Sequence, residues 1–194
     1  MRNWGRRDAE KLRARTEGVR TALGHAGGPD VLLASAWRLF SASYPARGGA
    51  EDWNASAWRS AWAELPDYYA FGEDVFGNAL ALLPGHDNAC LIDHESGEIH
   101  DLLLDPVSLL EICARDGVGW VDFYSADALG VAEAMGPTLD PEHHLHWVTP
   151  LVLGGKTQRS NVATLHREQH MTGHADLWQR IRDLPPGARV VLAP

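Results

Sequence analysis

Residues 67 to 104 constrain the fold more than any other stretch. "YYAFGEDVFGNALALLPG" alternates apolar and polar positions and is punctuated by glycine. "NACLIDHESGEIHDLLL" reads as a hairpin, with "ACLIDH" as one strand, "ESG" as the turn and "EIHDLLL" as the return strand. Short β-rich runs separated by turn residues pair with their neighbours in sequence. Three or four consecutive antiparallel strands are therefore expected here.

The flanks are helical in pattern. Residues 6 to 24 form a basic amphipathic pattern, with Leu12, Val19 and Leu23 near one face and Gly24 as a stop. A second helix is expected over about 30 to 43, carrying Val31, Leu32, Ala34, Trp37, Leu39 and Phe40. A third is expected in "DWNASAWRSAWAELP", where Trp58 and Trp62 lie four apart and belong to a core. Asp105 caps a helix over 105 to 116, with Pro106 at its first position. Another helical stretch ends at Gly136, and "EQHMTGHADLWQRIRDLPPG" is helical until "PPG". "NVATLHR" and "ARVVLA" read as strands. The expected class is α+β: a mostly antiparallel central sheet flanked by helices, with a helical N-terminal segment. The expected division is a helical extension over 1–50 and an α+β unit over 51–194.

Charge is unevenly spread. The 194 residues carry a net charge of −9, yet residues 1 to 20 hold seven basic and three acidic side chains. Residues 51 to 145 hold 19 acidic side chains against Arg59 and Arg115 alone. That middle region repels nucleic acid and attracts a basic partner. The two cysteines, Cys90 and Cys113, sit in apolar surroundings and read as buried thiols of a reducing compartment. The charged N-terminus and the lack of a long apolar run point to a cytoplasmic protein without membrane contact.

"HLHWVTPLVLGGKTQRSNVATLHREQH", residues 144 to 170, has the rhythm of an HNH nuclease finger. Such a site needs a His as general base, an Asn that fixes the backbone around it, and a closing His on a divalent metal. Asn161 and His170 stand where that template wants them relative to Gly154 and Gly155. The base position, three residues before Pro150, is Trp147, and His146 is one residue off. A one-residue shift on a strand turns a side chain to the other face. His144 and His146 share a face, so with His170 they are the candidate metal ligands, if any. His166, His170 and His174 lie four apart, but His166 fits the preceding strand better. No nucleophile elbow, phosphate loop or dinucleotide fingerprint occurs, and no catalytic residue or cofactor is assigned.

Two stretches together, residues 68 to 102 and 146 to 190, resemble the SUKH superfamily and its bacterial cell-wall-assembly-regulator-like proteins. "FGEDVFGN", with Phe71, Gly72, Phe76, Gly77 and Asn78, resembles that family's strand-turn-strand entry. "PLVLGG", with Pro150, Gly154 and Gly155, then Asn161 and "DLWQRIRDLPPG", resembles its C-terminal half. The resemblance spans roughly 53 to 193. It implies a sheet flanked by helices, no enzymatic activity, and a role as an immunity protein. Such a protein binds a toxin delivered by neighbouring bacteria, often a nuclease.

An acidic surface complements the basic cleft of such a toxin. The candidate contacts are Glu73, Asp74, Asp93, Glu95, Glu98 and Asp101, on or beside the meander. Phe71, Phe76 and Trp147 are expected in the core, and the four glycines at turns or close contacts. The alternatives are a divergent HNH-type nuclease and a regulatory protein-binding domain.

Overall fold

The computed structural model describes residues 14, 18, 21, 31–33, 36–40, 50–116, 126–185 and 187–190. Six antiparallel strands form a meander in chain order: β1 (Val31–Leu33), β2 (Trp37–Leu39), β3 (Tyr69–Asp74), β4 (Ala79–Leu82), β5 (Ala89–Ile92) and β6 (Ile99–Asp101). A second sheet pairs β7 (His143–Trp147) with β8 (Val162–His166), from His143↔His166 to Trp147↔Val162. The helices among the described residues are α1 (Ala50–Ala55), α2 (Trp58–Ala61), α3 (Pro106–Asp116), α4 (Ala126–Met135) and α5 (Arg167–Ile181). The fold is α+β, and no helix among the described residues is long and apolar enough to cross a membrane.

Three local expectations change. Ala14, Gly18 and Thr21 are helical, and the rest of 6 to 24 lies outside the described residues. The stretch expected as a second helix is instead the β1–β2 hairpin, with Val31 opposite Leu39, joined to β3 through Trp37↔Asp74. A nearly continuous apolar run has no period to separate strand from helix. β1 and β2 thus share the sheet of the 51–194 unit. The third helix is two short ones, broken around Ser56. The expected last strand is absent from residues 187–190, and its remainder lies outside the described residues.

β3, β4 and β5 are buried along their whole length. Trp37, Phe40, Trp53, Trp58, Trp62 and Phe71 fill the core beside them, joined by Leu109 of α3 and Val131 of α4. Each fully buried large apolar side chain contributes about 1.5–3 kcal/mol over its exposed state. β3 carries a bulge: Ala70 faces Ala81 and Gly72 faces Leu80, leaving Phe71 as the extra residue. The bulge strands Ala70's backbone, and Asn54 of α1 satisfies it. Its amide donates to Ala70 O at 2.8 Å and its carbonyl accepts from Ala70 N at 2.9 Å.

Asp74 closes the β3–β4 turn by accepting from Phe76 N (2.8 Å), Asn78 N (2.9 Å) and Asn78 Nδ2 (2.8 Å). Asp105 caps α3 as expected, accepting from Val107 N at 3.0 Å and Ser108 Oγ at 2.6 Å. Cys90 is a buried free thiol, and the Cys113 side chain lies outside the described ones.

Candidate functional site

The second sheet and α5 form a compact finger against the meander. Leu145 N donates to Val75 O at 2.7 Å, seating β7 on the β3–β4 turn. α2 meets α5 through Trp62 Nε1, which donates to Met171 O at 3.1 Å, and through Trp62 against Trp178. The long β7–β8 loop is held by one side chain. Asn161 accepts from Thr149 N (2.8 Å) and donates to Thr149 O (2.9 Å) and Lys156 O (3.1 Å), joining both ends of the loop. Gly155 lies so close to Thr149 O that a Cβ there would collide with it, and Gly154 turns at φ +86°.

Four histidines converge inside the finger. His144 and His146 point from one face of β7, and His170 and His174 stand one helical turn apart on α5. The ring of His170 lies 5.1 Å from those of both His144 and His146, and 4.2 Å from that of His174. His146, His170 and His174 each offer a ring nitrogen within 4.8 Å of the others. Beside them opens a cleft of about 460 Å³, walled by Val148, Pro150, Leu165 and Leu177, with Arg180 among its lining residues. Burial holds all four imidazoles below their ordinary pKa, His174 at about 4, with the neighbouring rings adding repulsion at His170 and His174.

His144 turns to a buried ion cluster. Arg38 Nη1 donates to Glu73 Oε1 at 2.9 Å, and Arg167 Nη2 and His144 Nε2 stand at ion-pair distances of 3.0 Å and 3.1 Å from the same oxygen. Burial alone would raise that carboxyl, but Arg167, His144 and Arg38 outweigh it and hold it well below the carboxylate range. Arg38 also donates to Pro141 O at 2.7 Å, so this cluster ties β2 and β3 to the approach to β7. His144 Nδ1 lies 3.0 Å from His170 Nδ1. Gly77 makes room for this pair: a Cβ there would lie 2.7 Å from His144 Nδ1.

The six candidate acids separate into different roles. Glu73 and Asp74 are each 1 % exposed and are corrected from partner contacts to internal groups. Asp74 is pushed up to about 7, chiefly by burial. Asp93 organises the hairpin turn, accepting from Glu95 N at 2.7 Å and Ser96 Oγ at 2.8 Å. Glu95 is also buried, and its Oε1 accepts from Val152 N at 2.8 Å, so it too is corrected to an internal group. Glu98 and Asp101 remain exposed on and beside β6.

Phe71, Phe76 and Trp147 are core as expected, with Phe76 stacked on Trp147 at 4.8 Å. Among the metal candidates, His146 and His170 belong to the three-nitrogen cluster, and His174 takes the place expected of His144. The four-residue spacing of His170 and His174 is the sequence signal for that exchange. Arg38 and Arg167 had no local signal, since their partner lies on another strand.

No family model matches the chain, and no curated protein matches it. The crystal structure of Atu4351 from Agrobacterium tumefaciens is similar at a TM-score of 0.51 and 14% identity, covering 88% of this chain and 80% of that one. At that identity the likeness extends to the fold alone.

Proposed function

We propose that this chain is a non-enzymatic, SUKH-like immunity protein that neutralises a bacterial toxin by binding it. The observation that carries this reading is the outer strand of the meander. β6 ends the strand order, and strand edges are common docking sites for other chains. The Glu98 side chain is 70 % exposed and Asp101 is exposed beside it. Leu103 follows at 77 % exposure, with a left-handed φ of 55° and its N–H bonded to Asp101 Oδ1 at 2.8 Å. A projecting apolar side chain beside solvated carboxylates suits a partner whose basic surface surrounds an apolar pocket. A nuclease toxin with a phosphate-binding cleft has such a basic surface.

The test is to recover the partner from the native host in moderate and high salt, then express it with and without this chain. Protection of the cells, and weaker binding by Glu98→Lys with Asp101→Lys, is expected. Binding that ignores both salt and charge reversal would sink the electrostatic part of the reading. A partner without toxicity would sink the immunity part and favour a regulatory domain.

A second reading, a divergent HNH-type nuclease, is favoured by the hairpin-and-helix placement of His146, His170 and His174. Against it, the position that the template gives to the water-activating base is held by Trp147, 5 % exposed and stacked on Phe76. Plasmid cleavage dependent on divalent metal and lost in His170→Ala would establish it over the first.

A further inference from the structure

We propose that His146, His170 and His174 bind one divalent transition-metal ion of the Zn²⁺ class, leaving a coordination position open to the adjoining cleft. The site is independent of the acidic β6 edge and does not rest on the immunity reading.

Three observations converge on it. First, the ring nitrogens lie within 4.8 Å of one another. Zinc–imidazole bonds of about 2.0–2.1 Å in a tetrahedral set need nitrogens roughly 3.4 Å apart, so modest ring rotation closes the site. Second, His146 Nδ1, His170 Nε2 and His174 Nε2 are buried without a hydrogen-bond partner. A buried polar group left unsatisfied forfeits its hydration with nothing in return. Three in one cluster is a poor way to build a core and a good way to build a ligand set.

Third, the surroundings choose the tautomers. His144 Nε2 stands 3.1 Å from Glu73 Oε1, which draws its proton to that side, and His144 Nδ1 lies 3.0 Å from His170 Nδ1, a contact that needs one proton between the two rings. With that proton on His170 Nδ1, the His170 lone pair falls on Nε2, the unpartnered nitrogen. His174 Nε2 is likewise buried without a partner. Metal-binding histidines are commonly fixed in this way by a carboxylate or carbonyl behind the ring.

Ligand chemistry selects the ion. Three imidazoles with neither thiolate nor carboxylate suit Zn²⁺, Co²⁺, Ni²⁺ or Cu²⁺, whereas Mg²⁺ and Ca²⁺ prefer oxygen. The neighbouring cleft leaves the remaining position to water or a small anion.

The experiment uses the full chain, free of any affinity tag and stripped with chelator. Zn²⁺ is titrated calorimetrically, and Co²⁺ is followed by its visible absorbance. About one equivalent, tetrahedral-type Co²⁺ bands and a raised melting temperature are expected. His146→Gln, at a half-buried strand position, should keep the fold by circular dichroism and lose at least tenfold in affinity. His144→Gln should weaken binding about 10- to 100-fold through His170, as loss of a supporting contact does. His100→Ala, on β6, should change nothing. The proposal is overturned if the stripped chain takes up no metal. It is equally overturned if folded His146→Gln binds as the parent does.

Discussion

Glu73 and Asp74 end β3 with side chains 1 % exposed, whereas Glu98 and Asp101 accompany β6 in contact with solvent. All four belong to the same meander and all four look alike as charges in a sequence. The first pair is enclosed because both faces of β3 are covered and the finger closes over its end. Glu73 keeps its charge there by gathering two guanidinium groups and an imidazole. Asp74 instead gathers backbone and amide donors and is pushed up to about 7. The second pair lies at the sheet's rim, where water supports each carboxylate. An acidic stretch can therefore hold two unrelated devices, an internal fastener and an external display.

Removing Glu73 should have the largest effect. Glu73→Ala leaves Arg38 and Arg167 buried without their carboxylate, and losing one partner of a buried ion cluster costs about 3–5 kcal/mol. Urea unfolding measures this, and a loss no larger than that of a surface substitution would erase the contrast between the two pairs. Asn161→Ala comes next. It removes three hydrogen bonds that close the β7–β8 loop, for about 2–3 kcal/mol at ordinary net values. Heat or urea unfolding reads it.

Glu95 sharpens the comparison through pH. Burial raises its carboxyl from 4.5 to about 7, so the folded state prefers the protonated form. Its contribution is intact below about 4.5 and is lost as pH rises through about 7. Glu95→Gln keeps an acceptor for Val152 N and removes the charge. It should stabilise the protein at pH 8 by up to about 3 kcal/mol and change little at pH 4. An equal effect at both values would mean that burial is not the cause. The smallest stability effect belongs to the rim. Glu98→Lys with Asp101→Lys should alter unfolding by no more than about 0.5 kcal/mol per site. The same pair should markedly weaken and desalt-sensitise partner binding, which calorimetry across a salt series follows.

Much of this architecture was readable from residue order. The strand alternation of residues 67 to 104, the Asp105–Pro106 helix start and the strand-to-helix change near His166 all depend on neighbours in sequence. β1 and β2 did not declare themselves, because "VLLASAWRLF" is apolar nearly throughout. The acids misled for a related reason. Alternation assigns one strand face to solvent, but β3 has no solvent face. Of the histidine cluster, the spacing of His170 and His174 was visible. The pairing of His146 with His170 was visible too, through the HNH-like rhythm, whereas the Glu73 cluster depends on β2, β3, β7 and α5 meeting. No local pattern encodes such a meeting.

Gly77 in the β3–β4 turn and Gly97 in the β5–β6 turn both press against the finger. One leaves space for the His144 and His170 rings, the other for the Trp178 indole. Any side chain at either glycine would act as a wedge between the meander and the finger. The halves of the molecule are therefore mated surfaces, shaped by what is missing from each turn.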